Sequence, residues 1–192
     1  CSPIPKSRKW FACSINMHPE LLSLCLFMFV TSCSPGPNNI VASHSGFNHG
    51  FKKTIPLMLG VIFGFTFMLA VINFGLINIF KLYPILQKGL IITGTVFLIY
   101  LSYKISFSKS SSESDNLKPV NFIETFLYQF LNPKGVIVAI IAVSTYVESG
   151  GNFISYSIWL LSIAFLFAVI SIIFWTIIGK FMRKFATNEK FI

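Results

Sequence analysis

Five long apolar windows constrain the fold of this chain more than any other feature. A helix needs roughly 20 mainly apolar residues to cross a hydrocarbon layer. Backbone groups in lipid must be hydrogen-bonded within the chain, so spans of this kind are helices. The sequence therefore predicts an all-α integral membrane protein with five spans, at residues 21–47, 54–80, 82–103, 125–147 and 149–179.

Charge agrees with a membrane protein and argues against nucleic acid as a partner. Only 11% of the residues are charged, against about a quarter in soluble domains. The net charge of +9 comes from basic residues at the window edges, with no basic face interleaved with aromatic residues. If Met17 is the first native residue and lies outside, the basic residues concentrate on the inner side. The inner set is Lys52, Lys53, Lys104, Lys109, Lys118, Lys180, Arg183, Lys184 and Lys190, and the outer set is Lys81 and Lys88.

A polar stretch divides the chain into two halves. Residues 106–121 are rich in serine and charge and predict a flexible, solvated loop. We expect residues 1–16 to be a non-native or disordered extension and residues 17–105 to form a first repeat of three helices. Residues 122–192 then form a second repeat of two helices, whose third helix, the sixth span, is missing by truncation.

Each half breaks its first apolar window with proline, at SPGPNN (residues 34–39) and at FLNPKG (residues 130–135). Interrupted hydrophobic segments at corresponding places in two halves are the best sequence pointer to a transporter binding site. Because each repeat has an odd number of spans, successive repeats enter the membrane in opposite directions. The prediction is a 3+3 inverted-repeat helical transporter.

The local chemistry predicts that each break begins a half-helix. Asn132 before Pro133 is an N-cap residue followed by proline at the first helical position, and Gly36 before Pro37 can serve in the same way. Free N–H groups at such an end attract a carboxylate, whereas carbonyls freed upstream accept from an ammonium. We therefore predict a site for a zwitterion at Ser34, Pro35, Gly36, Pro37, Asn38, Asn39, Asn132, Pro133 and Lys134.

Lys134 falls near the bilayer centre, where an ionisable group is costly and by default functional. Two roles are open. The lysine complements the carboxylate of the substrate, or it caps carbonyls of the broken first helix and holds the two halves in register. The alternative to both is a proline kink that serves packing, with the lysine reaching toward an interface.

Three further residues complete the candidate set. Gly60 and Gly64 form a GxxxG pair that predicts close helix packing. Glu124, eight residues before Asn132, is the acid best placed to relay a proton, although a solvated helix-end charge explains it equally well. The sequence shows no metal-ligand spacing and no phosphate-binding loop, so we expect no metal, no cofactor and no direct use of ATP.

The motifs resemble those of the lysine/homoserine-type amino-acid exporter family, the LysE/RhtB-like translocators. The matching stretches are residues 34–65, residues 88–105 and residues 130–135. The resemblance implies a multi-pass exporter of the cytoplasmic membrane, not an enzyme, with amino acids or close derivatives as small-molecule substrates and a proton gradient as drive. A homo-oligomer is compatible with it. The chain departs from the family at Asn48 and His49, where an arginine is frequent.

Two other functions compete with export. A membrane-embedded thiol/disulfide oxidoreductase needs two thiols that can meet. Cys25 and Cys33 are two helical turns apart, and no cysteine follows Cys33. A purely structural membrane subunit would tolerate loss of Lys134 without any change in transport.

Overall fold

The computed structural model describes residues 20–76, 120–147 and 152–186, together with isolated positions between 82 and 99. Within these ranges the chain is helical, as the sequence predicts, and contains no strand. The third predicted span, the N-terminal extension and most of the serine-rich loop lie outside the described residues. The elements are α1 (Leu21–Cys33), α2 (Pro37–Val71) with a π-helical turn (Ile72–Leu76), α3 (Phe122–Leu131), α4 (Pro133–Tyr146) and α5 (Phe153–Ala186).

Both proline-containing segments separate helices. Helix α1 ends at Cys33, and α2 begins at Pro37 after Gly36 in extended conformation (φ −166°, ψ 175°). Helix α3 ends at Leu131, and α4 begins at Pro133 after a bend of 63°. Ser34, Gly36 and Asn132 each precede a proline, which disfavours helical backbone, and all three are extended.

Helix α2 folds back on itself at Gly50, whose φ of 76° lies in the left-handed region that glycine tolerates. The hydroxyl oxygens of Ser45 and Thr54 are 3.0 Å apart. In a straight helix these residues would be separated by roughly 13 Å along the axis. Residues 37–49 and 51–71 are therefore two arms of a helical hairpin, and Lys52 and Lys53 lie beside its turn.

Helix α5 packs closely along the first arm of this hairpin. A Cβ atom added to Gly46 would collide with the carbonyl of Thr176, and one added to Gly179 would collide with the carbonyl of Ser43. Helix α5 continues beyond the apolar window of residues 149–179 and ends at Ala186. Basic residues are favourable in the last turn of a helix, where they meet the negative end of its dipole.

The second arm of the hairpin packs against α3 through Gly60 and Gly64. A Cβ atom on Gly60 would lie 2.5 Å from the carbonyl oxygen of Phe122, and one on Gly64 would lie 2.8 Å from that of Phe126. Both obstacles are backbone atoms, so these glycines set the distance between the two helices.

The packed helices surround apolar clusters and leave many large apolar side chains exposed. The larger cluster includes Leu24, Met68, Ala139 and Leu160, all nearly inaccessible. By length and composition, the segment Pro37–Gly75 and α5 each contain an apolar window long enough to span a membrane, and the bent pair α3–α4 counts as one further span. The hairpin turn at Gly50 divides the first of these segments into two arms. The outward-facing side chains, which suit contact with lipid, include Leu26, Phe63, Phe67, Leu166 and Phe174.

Candidate functional site

The two breaks meet through Lys134. Its ammonium donates to the carbonyl oxygen of Ser34 at 2.8 Å, to the Ser34 hydroxyl at 2.8 Å and to the carbonyl oxygen of Pro35 at 3.4 Å. These oxygens belong to the segment that follows α1, about a hundred positions earlier in the chain. Of the two roles left open by the sequence, the contacts in the structure correspond to the carbonyl cap.

Side chains from other elements cover the remaining carbonyls at the end of α1. Asn39 donates to the carbonyls of Ser32 and Ser34 at 2.8 and 2.9 Å. On α5, Ser171 donates to Ser32 at 2.6 Å and the Trp175 indole donates to the Cys33 carbonyl at 3.3 Å. A helix that ends inside a membrane must satisfy its last carbonyls in this way, since lipid offers no donors.

The start of α2 keeps backbone donors available, whereas the start of α4 carries a side-chain cap. No side chain caps α2, and its N–H groups at Asn38 and Asn39 lie too early in the helix for intrahelical acceptors. At α4, Asn132 Oδ1 accepts from the Gly135 N–H at 3.4 Å, as an N-cap does. The positive ends of two helix dipoles therefore lie near each other.

A cavity of about 60 Å³ lies between the breaks. Its lining includes most of the predicted residues and one cation, Lys134, but no carboxylate. The described acids, Glu20 and Glu124, lie at the starts of α1 and α3. Apolar walls come from Val61, Phe65, Val138, Ala168 and Ile172, and polar groups from Thr31, Ser32, Asn38, Asn39, Asn132, Lys134 and Ser171.

The predicted site residues are placed unevenly around this cavity. Gly36, Pro37, Asn38, Asn39, Asn132 and Lys134 line it. Ser34 and Pro35 are not lining residues, but their oxygen atoms accept hydrogen bonds from Lys134. Pro133 is buried at the first position of α4. Among the described residues, no cluster of histidine, cysteine or acidic side chains could hold a metal ion.

Sequence reasoning missed an amide pair that joins the two broken spans. The Asn38 amide donates to Gln129 Oε1 at 2.8 Å, and Gln129 Nε2 donates to Asn38 Oδ1 at 3.2 Å and to the Thr125 carbonyl at 2.8 Å. Gln129 is fully buried. The signal available beforehand was a glutamine one turn before Pro133 inside an apolar window, and Ser171 carried a similar signal.

Glu124 lies apart from the cavity. Its carboxylate is exposed and accepts from the Asn121 N–H at 3.3 Å, which is the capping-box arrangement at the start of α3. This contact corresponds to the alternative in which Glu124 is a solvated charge at a helix end. A role in proton relay stays a prediction.

The two cysteines that the structure describes give the oxidoreductase alternative no geometric support. Cys25 and Cys33 are both free thiols on α1. The break follows Cys33, so the helix between the two residues is continuous and separates them by roughly 12 Å along its axis. A disulfide needs Cα atoms within about 7 Å of each other.

Comparison with known proteins agrees with the geometry. Residues 29–189 match the sequence model of the family described as "LysE type translocator". The cysteine/O-acetylserine efflux proteins of Escherichia coli (strain K12) and Shigella sonnei (strain Ss046) are each 29% identical over 175 residues, covering 88% of this chain and 87% of theirs. That of Salmonella choleraesuis (strain SC-B67) is 29% identical over 172 residues with the same coverage. No solved structure matches the chain.

Proposed function

The chain belongs to the LysE type translocator family, and from that premise we propose that it binds the amino acid it exports between its two broken helices. It is a multi-pass transporter of the cytoplasmic membrane and an amino-acid exporter, not an enzyme. The observation that carries the proposal is the meeting of both breaks at one cavity lined by Gly36, Asn38, Asn132 and Lys134.

The cavity offers partners for both charges of a zwitterion. Helix-start N–H groups of α2 suit a carboxylate, because they carry partial positive charge and no side chain caps them. The oxygens of Ser34 and Pro35 suit an ammonium, as their contacts with Lys134 indicate. The α-carboxylate thus binds at the start of α2 and the α-ammonium binds just after the end of α1. These two contacts orient the substrate in the cavity.

The charge of the cavity favours neutral side chains on the substrate. Lys134 is its single cation among the lining residues, and none of those residues is acidic. A substrate with a basic side chain would bring a further positive charge into a low-dielectric site where no lining residue offers a counter-charge. The relatives named as cysteine/O-acetylserine efflux proteins point to the same class, namely small, neutral amino acids and their O-acylated derivatives.

We propose further that α1–α2 and α3–α4 are equivalent elements of an inverted repeat. Ser23, near the start of α1, contacts Tyr146, at the end of α4, with 2.9 Å between their hydroxyl oxygens. Ser34 and Lys134 meet at the two breaks. These contacts support antiparallel broken spans that cross at their interruptions, the arrangement expected for alternating access around a central site.

A counterflow assay tests the function. Vesicles that contain the full-length protein are loaded with one unlabelled amino acid and supplied with the same compound in radiolabelled form. We expect accumulation with O-acetyl-L-serine and L-cysteine, and at least about tenfold less with L-lysine, because burying its side-chain cation without a counter-charge costs at least about 1.4 kcal/mol. Protein-free vesicles are the control. Absence of exchange with every amino acid tested would disprove the exporter assignment.

A further inference from the structure

We propose that Lys134 couples export to proton movement by competing with the ammonium of the substrate for one set of oxygen atoms. These atoms, the Ser34 carbonyl oxygen, the Ser34 hydroxyl and the Pro35 carbonyl oxygen, are called the carbonyl cradle below. The inference rests on the proposed function, because it assigns a second task to a residue of that same site.

The cradle fits a primary ammonium. It presents three oxygen acceptors, and Lys134 brings three N–H donors to them. The α-ammonium of an amino acid has the same donor set. Two ammonium groups cannot share these acceptors, because each would lose hydrogen bonds and the like charges would repel each other at contact distance.

Gly36 keeps the cradle accessible to the lysine. A Cβ atom at this position would lie 2.8 Å from Lys134 Cδ and 2.9 Å from its Nζ. The lysine therefore passes directly over the backbone of the residue that precedes α2. Any larger residue at position 36 would push the ammonium away from the oxygens of Ser34 and Pro35.

Among the described residues that line the cavity, none is a carboxylate that could hold the proton of Lys134 once the lysine leaves the cradle. The titratable group beside it is the Cys33 thiol at the end of α1. Around the cavity α2 contributes Asn38 and Asn39, and α5 contributes Ser171, none of which titrates. A displaced ammonium in this setting has lost its acceptors. It therefore releases its proton to water, because the neutral amine costs less free energy there than the charged form.

The resulting exchange balances. On the cytoplasmic side the ammonium of the zwitterion enters the cradle, its carboxylate binds the N–H groups at the start of α2, and Lys134 releases one proton and becomes a neutral amine. On the outer side the substrate departs, and the amine takes one proton from water and returns to the cradle. One cycle moves one amino acid out and one proton in, and no covalent bond of the substrate changes.

The wild-type protein alone gives a first test, because protons and substrate compete in this scheme. In vesicles of phosphatidylethanolamine and phosphatidylglycerol, exchange of radiolabelled O-acetyl-L-serine is measured at equal pH on both sides. Below the pH at which Lys134 releases its proton, each further unit of acidity should raise the KM of exchange up to about tenfold and leave the maximal rate unchanged. A KM that does not respond to pH overturns the coupling role while the exporter assignment stands.

Variants at position 134 separate coupling from binding. In Lys134→Met the KM of exchange should be independent of pH, because no proton competes for the cradle. This variant should lose accumulation driven by a pH gradient and the accompanying proton flux, followed with a trapped pH-sensitive dye. Lys134→Arg should lower exchange at least about tenfold, because a guanidinium does not deprotonate and stays in the cradle.

Lys180→Met, which removes an exposed lysine near the end of α5, is the matched control and should behave as wild type. All variants are first checked by size-exclusion chromatography in detergent, where a folded protein gives a single symmetric peak. Gradient-driven accumulation by Lys134→Met would overturn the proposal. Loss of exchange in a well-folded Lys134→Met would also overturn it, because the lysine would then bind the substrate directly. If the wild type itself exchanges no amino acid, the proposed function fails and not the coupling step alone.

Discussion

At the scale of single residues, Lys134 shows how a charge is accommodated inside a membrane protein without an opposite charge. An ammonium near mid-membrane is costly. Here the compensation comes from oxygen atoms of Ser34 and Pro35, which the break after α1 leaves without helical donors. Hydrogen bonds to an ionised donor are stronger than neutral ones. The lysine and the broken helix thus stabilise each other.

Replacement of Gly36 by alanine tests this arrangement with one added methyl group. The nearest obstacles are the mobile Cδ and Nζ atoms of Lys134, so we expect the lysine to move and the fold to persist. Gradient-driven export should fall by about tenfold, which corresponds to the loss of one hydrogen bond to a charged group. Thermal unfolding in detergent should change little.

Gly75→Ala is the matched control for this prediction, because no neighbouring atom lies within 4 Å of a Cβ at that position. Both variants are compared by transport in vesicles and by melting temperature. If Gly36→Ala transports as well as Gly75→Ala, the proximity of Gly36 and Lys134 does not matter for export.

At the scale of elements, prolines set where helices begin, and glycines allow the chain to turn and the helices to pack closely. Prolines at positions 37 and 133 begin α2 and α4, where the missing N–H costs nothing. Gly50 reverses the chain, and Gly60 and Gly64 bring α2 against α3. A break in a helix leaves backbone groups without hydrogen-bond partners. Close packing brings side chains of neighbouring helices near enough to provide these partners.

Gly60→Ala should destabilise the protein without any direct effect on the cavity. The added Cβ would lie against Thr125 Oγ1 and 2.5 Å from the carbonyl oxygen of Phe122, a backbone atom that cannot rotate away. Overpacking of this kind costs about 1–3 kcal/mol. The measurement is the melting temperature in detergent, with Gly75→Ala as control. Equal melting temperatures of the two variants would show that α2 and α3 can separate at no cost.

At the scale of the whole molecule, the basic residues of the hairpin turn and of the end of α5 lie at the same end of the described helices. Arg183 donates to the Asn48 carbonyl at 3.2 Å, which brings the end of α5 to the turn of the hairpin near Lys52 and Lys53. At the other end, Phe74 and Phe153 are in ring contact with centroids 5.8 Å apart. An asymmetry of this kind orients membrane proteins with the basic end toward the cytoplasm.

Cysteine labelling tests this orientation. In a variant whose four native cysteines are replaced by alanine, Lys53→Cys and Lys184→Cys should react with a membrane-impermeant maleimide from the cytoplasmic side alone. Asn152→Cys, which precedes α5 at the opposite end, should react from the outside alone and serves as the comparison. Labelling of positions 53 and 184 from different sides would contradict the fold.

The sequence by itself determined what depends on neighbours in the chain. Long apolar windows require spanning helices, and PGPN and NPK require helix starts at Pro37 and Pro133, because the missing donor of a proline acts locally. The same two motifs carried the resemblance to the exporter family. The apolar window alone did not determine where α5 ends, because basic residues both end apolar windows and favour the last turn of a helix.

The tertiary structure alone decided which groups meet. The sequence left open whether Lys134 binds the substrate or caps the first break, and the structure shows its contact with Ser34. Nothing local indicates that Gln129 pairs with Asn38 or that Trp175 donates to the Cys33 carbonyl. Those contacts depend on how each helix is rotated about its axis, and that rotation is fixed by packing between helices, as where Gly46 and Gly179 admit the backbone of the facing helix. Local backbone chemistry places the breaks, and helix packing turns them into a site.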